Sequence, residues 1–103
     1  MKVSIKTNLK PVEDEIKKRV NRAREPTIRQ MLLDTTPFVP VRTGKLRKSG
    51  RVTNDGIVWD EKYALDVYLS TKKYEVGTRQ WFEAAKLIYL NRWVNTFQKE
   101  VNK

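Results

Sequence analysis

The residues best suited to do chemistry lie between Arg42 and Arg51, where five basic side chains occupy ten positions among Thr43, Gly44, Ser49 and Gly50. That composition suits phosphate oxygens, which accept from Lys and Arg side chains and from free backbone amides. The segment has no interleaved aromatics, so stacking on single-stranded bases is not expected, and no base-reading helix pattern stands out. Lys45 and Lys48 beside Ser49 set amines near a hydroxyl, but the flanking residues give no sign of an oxyanion hole. Asp60, Glu61 and Asp66 form a loose acidic cluster, and acid–base or metal chemistry requires such groups to converge. The chain contains neither Cys nor His. That removes thiol nucleophiles, disulfides, Cys/His zinc sites and imidazole catalysis. Gly44, Gly50, Gly56 and Gly77 stand apart from one another, so no phosphate-cradling loop is written here. The reading is a non-enzyme, with no catalytic residue, no metal site, no cofactor and no small-molecule substrate.

A chain of 103 residues makes one domain with one modest core. Its net charge of +10 is unevenly spread: residues 1–51 carry 14 basic and 5 acidic side chains, residues 52–103 carry 8 and 7. A basic first half favours polyanionic partners, either nucleic acid or an acidic protein surface. No run of about 18 apolar residues is present to span a bilayer, and the first fifteen positions lack a secretory apolar core. The expectation is a soluble intracellular product with no membrane partner.

The elements that must position these groups follow from periodicity. Residues 1–10 are expected to be flexible. Residues 11–34 read as a helix, with Pro11 in its first turn, Glu13, Asp14 and Glu15 at the positive end of its dipole, and Val12, Ile16, Val20 and Ala23 at helical spacing. Pro26 predicts a kink or break near Glu25. Residues 36–70 read as an extended loop, a short helix and a β region. Within it, Asn54-Asp55-Gly56 joins strands at 51–53 and 57–59 as a hairpin. Alternation over Tyr63, Leu65, Val67 and Leu69 argues for a further strand, with a short helix at 63–67 as the alternative. A second helix over 78–101 takes Thr78 as its N-cap candidate and carries Trp81, Ala85, Ile88, Tyr89, Trp93, Phe97 and Val101 on its core face. Phe82, Leu87, Leu90 and Val94 widen that face beyond what a small sheet can cover, which points to a contact surface.

With these blocks in order, a resemblance emerges. Thr36-Pro37-Phe38-Val39-Pro40-Val41-Arg42-Thr43-Gly44-Lys45-Leu46-Arg47-Lys48-Ser49 resembles the signature of tailed-phage minor capsid proteins: a helix, an aromatic, Val-Pro, Thr-Gly, Leu-Arg and a Ser. Trp59, Tyr63-Ala64 and the stretch from Gly77-Thr78 to Trp81-Phe82-Glu83-Ala84-Ala85-Lys86 continue it in the same order, covering roughly residues 28–94. Arg42 stands where many relatives carry Asp. The wider group includes neck, head–tail joining and tail-completion proteins.

The resemblance implies an α+β fold, with long N- and C-terminal helices packed on a small, mostly antiparallel sheet of three to four short strands. It implies a virion structural protein at the neck or head–tail connector, made in the host bacterial cytoplasm. Its partners would be further copies of itself in a ring, neighbouring connector and tail proteins, and DNA contacted without sequence preference. Arg42, Thr43, Gly44, Leu46, Arg47, Ser49, Trp81 and Trp93 are the assembly or interface candidates. Leu46 would anchor the loop, while Arg42 and Arg47 would reach acidic groups on a neighbour or DNA. Charge reversal at Arg47 would then weaken assembly without harming the fold. The alternative is a small basic nucleic-acid-binding protein that uses the first helix and residues 42–51.

Overall fold

The computed structural model describes residues 2–5, 8–54 and 56–103. Two long helices dominate it: α1 over Lys10–Thr35 and, at the other end of the chain, a 21-residue helix over Trp81–Val101. Between them lie a 3₁₀ turn at Thr36–Phe38, a one-turn helix α2 at Lys45–Lys48, strands β1 (Gly50–Val52) and β2 (Ile57–Trp59), and a short helix α3 at Ala64–Leu69. The C-terminal helix is therefore α4. The fold is α+β, with one two-stranded antiparallel sheet among the described residues. Of residues 1–10, Met1, Lys6 and Thr7 lie outside the described residues, and so does Asp55 in the predicted turn.

α1 begins with Pro near its first position and Glu13 in its first turn, both favourable there. It then runs through Pro26 without a break, although an interior proline costs roughly 3 kcal/mol. The neighbouring turns explain why. Ala23 and Thr27 are buried on either side of Pro26, so packing holds the helix across the missing bond. The Thr27 hydroxyl also donates to the Ala23 carbonyl at 2.8 Å.

The sheet has two strands where three to four were expected. The short helix that was the alternative over 63–67 forms, as α3, and the alternation over 63–69 misleads because the residues that pack on the core are Ala64, Val67 and Tyr68. That is a helical i, i+3, i+4 pattern, and it leaves Leu65 and Leu69 exposed. The strand register is Gly50↔Trp59, Arg51↔Val58 and Val52↔Ile57. Gly56 closes the turn through Thr53, whose amide donates to the Gly56 carbonyl at 2.7 Å.

α4 starts three residues later than the predicted Thr78. The Thr78 amide donates to Phe38 O at 2.8 Å, and Gln80 turns left-handed (φ 48°) just ahead of the first helical turn.

α1 and α4 lie antiparallel, with Asp34 beside Trp93 and Arg22 beside Lys103, and with Ala23, Thr27 and Trp93 buried. Beyond the end of α1, Val39, Leu46 and Trp81 form a second small core, covered by Phe38, Trp59, Ala64, Val67, Tyr68 and Phe82.

Arg51 straps the hairpin by donating to both carboxylate oxygens of Asp60, with Nη2 at 3.3 Å from Oδ1. The Arg51 hydrogen bonds, ahead of its charge, hold Asp60 below its ordinary 3.8. A depressed carboxylate stabilises the fold above its unfolded pKa, and that contribution disappears as pH falls through the lower folded value. An NMR titration should therefore show Asp60 titrating below 3.8, and Arg51→Gln should bring it back toward that value.

Candidate functional site

The loop 36–50 is built as a plug with a clip. Val39 has a fully buried side chain and Leu46 is 4% exposed. Arg47 fixes the distance between them: its Nε donates to Val39 O at 2.9 Å and its Nη2 to Pro37 O at 2.8 Å. The Ser49 hydroxyl donates to Leu46 O at 2.7 Å and so is engaged within its own turn. Gly44 takes φ +85°, and a Cβ at that position would meet nothing within 4 Å, so its role is conformational. Thr43 Oγ1 accepts from the Lys45 amide at 3.4 Å. Arg42, Thr43, Lys45 and Lys48 are exposed on the outer side of this loop.

The candidates therefore fall into two groups. Arg42 and Thr43 present themselves to solvent, whereas Leu46, Arg47 and Ser49 are occupied within the loop. Trp81 and Trp93 are occupied within the fold. Trp81 is 1% exposed and meets Trp59 and Tyr68 edge-on, at centroid distances of 5.6 and 4.7 Å. Burial, followed by the nearby Glu83 charge, raises the Tyr68 phenol above its ordinary 10.0.

The bonds made by Arg47 alter what its substitution should do. Arg47→Glu leaves two backbone carbonyls without their donor, so stability should fall by about 1–3 kcal/mol before any assembly step is reached. Urea unfolding of the purified variant measures this directly.

Asp34 belongs to no motif and stands out only in three dimensions. On the last turn of α1, it accepts from Trp93 Nε1 at 2.9 Å and Gln30 Nε2 at 3.0 Å, with Arg92 Nη1 at 3.6 Å. It is a polar tie between the two long helices. Asp34→Ala should cost about 1–3 kcal/mol by stranding the Trp93 indole N–H. Asp34→Asn keeps an acceptor and should lose less in the same thermal melt.

Among the described residues no three acidic side chains come close enough to hold a metal ion. Asp60 is committed to Arg51 rather than to Glu61 or Asp66. No helix among the described residues is long and apolar enough to cross a membrane.

Apolar side chains remain uncovered on both long helices. On α4, Leu87, Leu90 and Val94 are exposed opposite the buried Trp81, Ala85 and Trp93, and Ile88 is exposed beside Trp81. On α1, Val12 and Ile16 are exposed ahead of the buried Ala23. The α4 surplus is visible in its sequence. The α1 surplus needs the structure, because Val12 and Ile16 sit on the stripe that becomes core at Ala23.

A family model for minor capsid proteins matches residues 3–101. The chain belongs to that family. The match takes in both long helices, the Pro37–Ser49 loop and the hairpin, so it covers the whole of the architecture described above. Membership makes this a phage structural protein of the virion. No curated protein and no solved structure matches the chain.

Proposed function

We propose that this minor capsid protein is a ring subunit of the neck or head–tail connector, docked below the portal as a platform for the tail. It works by assembly, without catalysis or cofactor. The observation that carries the reading is how little of the chain is self-contained. It exposes 8309 Å², where a compact protein of its mass exposes roughly 6,100 Å². Its radius of gyration is 19.5 Å, against roughly 13 Å for a globule of this length. Some of the surplus comes from described residues ahead of α1, such as the exposed Val3 and Ile5, and the uncovered helix faces add to it. Such surface is what a subunit contributes to its neighbours.

Arg42, Lys45 and Lys48 on the open side of the loop suit DNA phosphates or an acidic neighbour. A DNA contact of this kind would be blind to sequence and would weaken steeply with salt. The same exposed cations favour the second reading, a small basic nucleic-acid binder.

Quantitative peptide mass spectrometry on purified particles, counted against the portal subunit, separates the two. A fixed ratio of about one-half or one, as closed symmetric rings require, supports a connector ring. Absence from infectious particles rules out a virion component and leaves the nucleic-acid binder.

A further inference from the structure

The uncovered apolar residues form two short seams of the same pattern. Leu9, Val12 and Ile16 recur at intervals of three and four, and they are 59%, 56% and 53% exposed. Leu87, Leu90 and Val94 repeat those intervals at 89%, 46% and 46%. Leu9 has right-handed helical dihedrals as the residue capping α1, so it stays on the helical track. Each seam spans seven residue steps, about 10 Å along a helix axis. Spacing of three and four residues is the one at which a side-chain row on one helix meets a row on another.

Among the described residues nothing of this chain closes either seam. The last residues after α4 lie beside Arg22, whose Nη2 donates to Lys103 O at 2.7 Å. Ile16 lies six residues further out, about 9 Å past that end. The α1 seam nevertheless continues the face that holds α4 through Ala23 and Thr27, since residues 16, 20, 23 and 27 share one side of the helix. A helix is the shape that face accepts. The α4 seam lies on the opposite side of α4 from Trp81, Ala85 and Trp93, and faces solvent.

We infer that the occupant of each seam is a second copy of this chain: the α1 overhang of one subunit lies along the outer face of α4 in the next. The inference rests on the ring reading above and names its contact. Because the two seams are on different elements, every contact leaves one seam of each kind open, and the association is head-to-tail. Repeated around an axis, such a contact closes a ring. The area agrees in scale. In a ring each subunit buries one side of two contacts, about 1,200–2,000 Å² in all, and its surplus over a compact monomer is about 2,200 Å², the residues ahead of α1 included.

The chain has no cysteine of its own, which allows a direct test on the intact chain. Ile16→Cys and Leu90→Cys in one chain are too far apart to join internally. On oxidation they should give a ladder of cross-linked oligomers that neither single variant gives. A dimer from L90C alone would replace the contact with a symmetric α4–α4 pair and overturn the inference. So would the absence of any cross-linked product from the double variant.

A second measurement guards against misfolding. Ile16→Glu and Leu90→Glu alter exposed positions, so each variant should keep its circular dichroism and run as a monomer in sedimentation. Mixed together, they retain one intact seam pair and should form a one-to-one heterodimer that grows no further. If the mixture stays monomeric, the contact is wrong. Particle stoichiometry keeps the two proposals apart. A chain present at ring ratio but giving no ladder loses this contact and keeps its virion role, whereas a ladder from a chain absent from particles does the reverse.

Discussion

Gly77→Ala should destabilise the protein by about 2–5 kcal/mol, with a left-handed residue contributing about 1–2 and overpacking about 1–3. Gly77 has φ +89°, and a Cβ there would lie 2.6 Å from Pro40 Cα, Pro40 N and Val39 C. These are backbone atoms, so no side chain can rotate away. They are also held on both sides: the Val41 amide donates to Val76 O at 3.2 Å, and the Thr78 amide donates to Phe38 O at 2.8 Å. Gly77 is thus where the connector before α4 closes over the buried Val39. Gly44→Ala is the matched control. It shares a positive φ of 85° but has nothing within 4 Å, so only the conformational part, about 1–2 kcal/mol, should be lost. Urea midpoints of the two variants give the difference. Equal losses would show that the apposition of Gly77 and Pro40 is not tight in solution.

That contact also marks where sequence reading stops. The two long helices, the short turn at Lys45–Lys48 and the hairpin were legible because each rests on local signals: Pro11 with its acidic first turn, isolated glycines, and apolar positions at intervals of three and four. Leu46 as the plug of its loop was legible for the same reason. The failures share a different cause. Pro26 predicts a kink or a break, and the break does not occur because Ala23 and Thr27 are buried where α1 meets α4, an element more than fifty residues later. Tyr63 to Leu69 alternates like a strand, yet the placement of the Val39, Leu46 and Trp81 cluster selects Ala64, Val67 and Tyr68 as the buried side.

The assembly candidates divide along the same line. A basic Arg in a basic stretch reads as an outward-facing group until the carbonyls of Pro37 and Val39 are seen beside Arg47. Trp81 and Trp93, core-face residues by their spacing as well as interface candidates, fill the fold. Asp34 carries no motif at all, and its value depends on an indole 59 residues away. The uncovered apolar surface instead lies on smaller aliphatic residues: Val12 and Ile16 on α1, Leu87, Leu90 and Val94 on α4.

Trp81→Ala tests that division from the inside and should cost about 3–5 kcal/mol, as expected for removing a buried Trp. Three features put the effect toward the upper part of that range. Trp81 is among the largest fully buried side chains, it touches two aromatic rings edge-on, and its cluster contains only two other buried hydrophobic residues, Val39 and Leu46. A domain of this size has about 5–15 kcal/mol in total, so the variant should be partly unfolded at room temperature by near-UV circular dichroism. Trp81→Phe should lose much less. The Trp81 indole nitrogen is buried with no hydrogen-bond partner, so the smaller ring gives up packing but strands no polar group. Leu87→Ala, at a position 89% exposed, should stay within about 0.5 kcal/mol of the parent. If Leu87→Ala is instead as damaging to the isolated chain as Trp81→Ala, the outer face of α4 is buried within the monomer and is not available to a neighbour. A steep loss at Trp81 beside a flat response at Leu87 places the fold on one side of α4 and leaves the other for assembly.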